Sequence, residues 1–334
     1  MSTATAVRVL WLAPHTPDGI SEGRSWIASA LSARGLSVTQ RTATPDAIGA
    51  LFRNRNDYDV IVGTTRAGAG LGLLGSMFSE GAFVVDHVDP IEQFAATSPW
   101  WLAGTVDVVE RLAFSRADHV IYHYDRERKR IDRSDSSVTK SRLAIQFDRF
   151  ASPAETVIER ARAHLDEFDT PDRRLVYVGG LEPIYRIETL LEATEKLTDW
   201  TLVVLGAGSL EDRVERAAER IDSVVFPGLV DNELLAGYLH ACDVGISLVD
   251  DPHTLKVLEY GAAGLPVVQV DGRARATFEG QVTFCDPTPE SVATAIRRAT
   301  ESGPSDELRK RAADHDIEAV ASIYERVIRN CARS

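Results

Sequence analysis

Cysteine is nearly absent from this chain: Cys242, Cys285 and Cys331 are the only three in 334 residues, far apart and odd in number. No Cys-x-x-Cys pair or His/Cys cluster occurs, which argues against a disulfide framework or a structural zinc site and suits a reducing cytoplasm. Lysine is scarce too, five against 32 arginines. Acids outnumber both, with 50 Asp and Glu against 37 Lys and Arg, a formal charge of −13. So acidic a chain repels nucleic-acid backbones, which argues against a nucleic-acid partner. The same excess is the kind that keeps a halophilic protein in solution. No run of eighteen apolar residues appears, so no spanning helix is expected. The opening stretch to Pro14 lacks the charged start of a secretory signal and reads as a strand.

What is present is the composition of a globular protein, 44% hydrophobic and 26% charged, with length enough for two domains. In the first half, apolar strands at 7–13, 38–41, 58–62, 82–86 and 118–123 alternate with helical spacing at 25–34 and 106–115. The pattern resumes after a polar helical stretch, with strands at 174–178, 201–205, 224–226 and 244–248 separated by helices. Such alternation predicts α/β domains with parallel, doubly wound sheets, whose ligands lie beyond the carboxyl ends of the strands. The halves divide as 1–150 and 151–320, leaving a terminal helix, 321–334, that can return to the first half.

The most specific stretch runs from Asp250 to Val268. Lys256 and Glu259 stand three apart at the start of a helical pattern and so share one face. A helix N-terminus bearing an ammonium suits a diphosphate, and a carboxylate one turn on suits two vicinal hydroxyls. A nucleotide-sugar offers both groups. Elsewhere, the Gly206-Ala-Gly208-Ser209 turn offers backbone amides to an anion, and Asp86, His87 and Asp89 crowd one strand end. Polar groups buried there require partners or a function.

The Asp251…Glu259 pair resembles the Glu-x7-Glu signature of retaining family 4 GT-B glycosyltransferases, with the first acid shortened. The Lys256-x-x-Glu259-Tyr260 form is similar to glucuronosyltransferase relatives. Further segments match that family in order: 24–38, Ile145 to Phe150, Tyr177 to Pro183, Leu205 to Ser209, and Phe226 to Val230. The resemblance implies a GT-B fold, two Rossmann-like domains whose strand edges face across an interdomain cleft. The N-terminal domain would take the acceptor and the C-terminal domain the donor.

It also implies roles. Lys256, with Arg186 second, would hold the diphosphate. The family's usual arginine position is Gly180 here. Glu259 would bind the ribose, Asp251 the transferred sugar, and the loop at Val230 the base. His87 would contact the donor sugar, with Asp86 or Asp89 as general base if the outcome is inversion. His15 and Gly19 would line the acceptor-side loop. Trp100, Trp101 and the basic run Arg126–Arg133 are candidates for contact with a lipid-linked acceptor at a membrane surface.

The function implied is retaining, metal-independent transfer of a hexosyl group from a UDP- or GDP-sugar to a glycan or lipid-linked acceptor. No cofactor is expected beyond the donor. The alternatives are a GT-B nucleotide-sugar epimerase and a catalytically degenerate sugar-binding subunit, the latter suggested by Gly180 and Asp251.

Overall fold

The structure, a computed structural model, describes residues 6–13, 20–44, 49, 57–132 and 136–333; His15 and Gly19 lie outside the described residues. The chain divides into two compact units, residues 1–144 with 317–334, and residues 145–316.

In the first unit β1 (Arg8–Ala13), β2 (Ser37–Thr42), β3 (Val60–Thr64), β4 (Ala82–His87), β5 (His119–Tyr122) and β6 (Ser137–Lys140) form one parallel sheet. Its order is β2-β1-β3-β4-β5-β6. Helices cover both faces, so the central strands are apolar throughout rather than alternating. One face buries Val9, Trp11, Val62 and Val84 beneath the helices Ile20–Ala33 and Ile317–Cys331. The other buries Leu10, Ile61, Phe83 and Val85 beneath the helices Thr65–Ser76 and Trp100–Arg116.

The second unit repeats the plan with β7 (Arg173–Val178), β8 (Trp200–Leu205), β9 (Val224–Gly228), β10 (Val244–Ser247), β11 (Val267–Val270) and β12 (Thr283–Cys285). All pairs are again parallel, in the order β12-β11-β10-β7-β8-β9. The helices Ile187–Thr194 and Pro289–Ser302 pack one face, and Glu155–Leu165, Leu235–His240 and Leu255–Ala262 pack the other.

The doubly wound architecture expected from the alternation is therefore present twice. In each sheet the strand order reverses at one point, between β1 and β3 and between β7 and β10. Crevices for ligands open at such switch points. Among the described residues no helix is long and apolar enough to cross a membrane.

Candidate functional site

The β7–β10 switch point is where the lead motif lies. Thr254 precedes the helix Leu255–Ala262, which places Lys256 in its first turn and Glu259 one turn on. The Lys256 ammonium sits 4.4 Å from the ring centre of Tyr177 and 4.4 Å from that of Tyr185. It also donates to the Tyr177 hydroxyl at 3.3 Å. Tyr177 in turn donates to the Gly180 carbonyl at 2.6 Å, which fixes the ring. Among the described residues no carboxylate pairs with Lys256 within 4.0 Å. Burial lowers its pKa to about 8, against a smaller opposing effect of Glu259. Burial likewise raises Glu259 to about 7, although Lys256 and Arg149 pull the other way. Two adjacent, half-buried ionisable groups thus remain without full partners, the condition expected of a site awaiting a ligand.

The loops beneath are joined by close backbone packing. A Cβ on Gly206, whose φ is +150°, would lie 1.9 Å from the Gly179 carbonyl oxygen. Gly208 abuts the Leu181 backbone in the same way. Two of the amides expected here for an anion are engaged: Gly206 N–H donates to the Gly228 carbonyl at 3.0 Å. Ser209 gives its N–H to the Glu182 carboxylate at 2.9 Å and its hydroxyl to the other oxygen of the same group. A carboxylate of the protein itself thus takes the Ser209 end of the turn that sequence offers to an anion.

Arg186 also departs from expectation. It adopts left-handed backbone angles, φ 52° and ψ 43°, uncommon for a side chain larger than glycine. Its guanidinium donates to the Leu248 carbonyl at 2.5 Å, tying the loop after β7 to the end of β10. Asp251 accepts the His253 amide at 2.9 Å and so closes its own turn. Val230 packs on the core, next to an exposed Leu229.

On the first unit, the period of two along β4 separates the residues that sequence placed together. Asp86 shares its face with Val84, whereas His87 shares the opposite face with Phe83 and Val85. Asp86 is fully buried. It forms an ion pair with Arg24, whose Nε lies 2.7 Å away and whose Nη2 donates at 3.4 Å. It accepts the Tyr324 hydroxyl at 2.6 Å and the Thr64 hydroxyl at 3.0 Å, with His123 Nε2 at 3.2 Å. Trp11 completes the group by donating to Thr64 at 2.7 Å. Burial alone would raise this carboxyl, but the Arg24 charge and these hydrogen bonds hold it far below the usual range. Asp86 is an internal anchor, and a carboxylate so stabilised is a weak base. The pleat thus sets Asp86 and His87, both at the end of β4, on opposite faces of the sheet.

His87 is buried, with Nε2 3.0 Å from Glu127 and its ring edge-on to Phe114 at 5.0 Å. Glu127 is also held by Arg130, which reaches Asp107 at 2.6 Å and Glu110 at 2.8 Å. Arg66 continues the network from Glu110, at 3.5 Å, to Asp89, at 3.6 Å. Burial would raise Glu127, yet bonds from His87 and Arg130 lower it to about 2. Most of the basic run is likewise neutralised, since Arg126 pairs with Glu92 and Arg128 with Asp132. Trp100 and Trp101 remain 86% and 58% exposed.

Tyr177, Tyr185, Glu182, Arg24 and Glu127 escaped the sequence reading. Arg24, Tyr177, Glu182 and Glu127 lay inside segments singled out there, without a role of their own.

Residues 172–302 match the model of the family described as glycosyl transferases group 1, so the second unit carries a domain of that kind. No curated protein matches the sequence. Among solved structures, sucrose-phosphate synthase from Thermosynechococcus elongatus is similar, at 19% identity, TM-score 0.75, 98% of this chain and 100% of that one. Anabaena HepE, solved with UDP and glucose, gives 16% identity, TM-score 0.72 and coverage of 97% and 99%. WaaG, a glycosyltransferase involved in lipopolysaccharide biosynthesis, gives 16%, 0.61, 96% and 99%. At these identities the likeness establishes the fold, which is GT-B.

Proposed function

We propose that this protein transfers a sugar from a nucleoside-diphosphate sugar to a glycan or lipid-linked hydroxyl, with retention and without a metal. One observation carries the reading: Lys256 and Glu259 stand on one helix face at the β7–β10 switch point, both half-buried and neither fully partnered. Lys256 would meet the diphosphate, and its charge would grow in value as the bond from the anomeric carbon to phosphate oxygen breaks. Glu259 would accept from the ribose hydroxyls, and the backbone around Val230 would carry the base. His87 would hold a sugar hydroxyl. HepE, solved with UDP and with UDP-glucose, supports a uridine nucleotide as the first donor to try. The exposed Trp100 and Trp101 are the proposed contact for a lipid-linked acceptor.

A second reading, a sugar-binding subunit without turnover, is favoured by two departures. Arg186 is spent on the Leu248 carbonyl, and Glu182 fills the Ser209 amide.

Calorimetric titration with UDP, GDP and ADP, without metal, tests the donor site. Binding of one nucleotide, weakened about tenfold or more in both Lys256→Ala and Glu259→Ala, is the expected result. Equal affinity in the variants would refute the assignment. Binding without product from the corresponding sugar nucleotide would select the second reading.

A further inference from the structure

We propose that Glu127 is a positioning residue that sets the tautomer of His87, placing the proton on Nε2 and leaving Nδ1 as an open acceptor for a substrate hydroxyl. Neutral imidazole has one donor and one acceptor nitrogen, and the bond made by one decides the role of the other. His87 Nε2 lies 3.0 Å from Glu127 Oε2. The same oxygen takes an N–H of Arg130, so it has no proton of its own to offer. Nε2 must therefore be the donor. Phe114, edge-on to the imidazole, fixes the ring plane. Among the described residues Nδ1 has no hydrogen-bond partner, and it is not among the enclosed, unsatisfied atoms.

The partners make the arrangement durable. Glu127 lies in the short turn Asp125–Glu127 after β5, the strand that pairs with β4 in the register His87 to Tyr122. Arg130 is in turn fixed by Asp107 and Glu110. A ring held from behind on one nitrogen presents the other in one orientation, so a bound hydroxyl meets a preorganised acceptor. That last step rests on the proposed transfer reaction; the tautomer itself does not.

Long-range proton–nitrogen correlation spectra of the nitrogen-15-labelled full chain, taken above the histidine titration range, read the tautomer directly. His87→Gln identifies the resonances. The expected wild-type pattern is Nε2 protonated and Nδ1 bare, in about tenfold excess or more over the other tautomer. Glu127→Gln keeps that pattern, because Arg130 draws the amide oxygen into the shared position. Glu127→Leu lowers the ratio at least several-fold, toward a mixture. A protonated Nδ1 in the wild type, or an unchanged ratio in Glu127→Leu, would overturn the proposal. If the leucine variant fails to fold, the wild-type spectrum decides alone. Loss of transferase activity as a reading would leave these spectra unaffected, so the two ideas fail separately.

Discussion

The Tyr324 hydroxyl donates to the Asp86 carboxylate at 2.6 Å, although 238 positions separate the two residues. The tyrosine ring also stacks on Trp11, centroids 5.5 Å apart, and Arg24 closes the group from the helix Ile20–Ala33. Two helices and β3 of the first unit, with His123 just past β5, thus converge on one buried carboxylate.

Removing its counter-charge should be severe. Arg24→Met is expected to cost about 3–5 kcal/mol, because it leaves a buried charge without its cation. Tyr324→Phe should cost about 1–2 kcal/mol. Asp86 titrates below its ordinary value, so its stabilisation is present above the usual carboxylate range and is lost as pH falls beneath it. Urea denaturation at several pH values should show the acid limb flattened in Arg24→Met; unaltered midpoints would remove the anchor role.

Donor binding should have a pH optimum between about 7 and about 8, the values to which burial brings Glu259 and Lys256. Below it Glu259 is protonated and loses an acceptor; above it Lys256 is neutral and must regain a proton to meet the diphosphate. Affinity for UDP should drop about tenfold for each further unit on the alkaline side. A flat profile from pH 6 to about 9 would contradict this.

Both groups should weaken the fold at neutral pH. Lys256 is depressed, so its contribution is present above the ordinary lysine value and lost as pH falls through about 8. Glu259 is raised, so its contribution is present below the ordinary glutamate value and lost as pH rises through about 7. Lys256→Met and Glu259→Gln should each stabilise the protein by on the order of 1 kcal/mol while binding UDP less well. Thermal melts at pH 7.5 without ligand check the first half; lower melting temperatures in both would count against it.

Tyr185→Ala should open the ammonium to water and move the alkaline limb of UDP binding toward the ordinary lysine range, while Tyr185→Phe should leave it in place. Titrations across pH 7 to 10 distinguish the two.

Dialysis against a chelator should leave transfer unchanged, and added magnesium or manganese should not raise it more than about twofold. A larger restoration by metal would overturn the metal-independent mechanism.

The paired sheets were legible because buried parallel strands are apolar runs and the turns between them carry glycine. The helix Thr65–Ser76 was not, since four glycines in twelve residues blunt a helical pattern. One of them shows why they are there: a Cβ on Gly72 would come within 2.3 Å of the Phe83 ring. β6 and β12 were missed as well, being short edge strands, the first largely polar. Lys256 and Glu259 could be found by spacing alone, because helix geometry is local. The tyrosine pair around Lys256, the Glu127 behind His87 and the capture of Ser209 by Glu182 are tertiary contacts, invisible to spacing. That Asp86 and His87 face opposite sides of the sheet follows from the period of two, but which partners each face supplies does not.

Residues 317–331 complete a sheet whose strands are all made before residue 141. During synthesis the ribosome must therefore translate the entire second unit before the first can bury Trp11 and Asp86. The second unit, continuous in sequence, has everything it needs some 15 residues earlier. The half that begins first is thus the last to finish, and a released chain truncated just short of Tyr324 would hold a complete second unit joined to a first unit still lacking most of its closing helix.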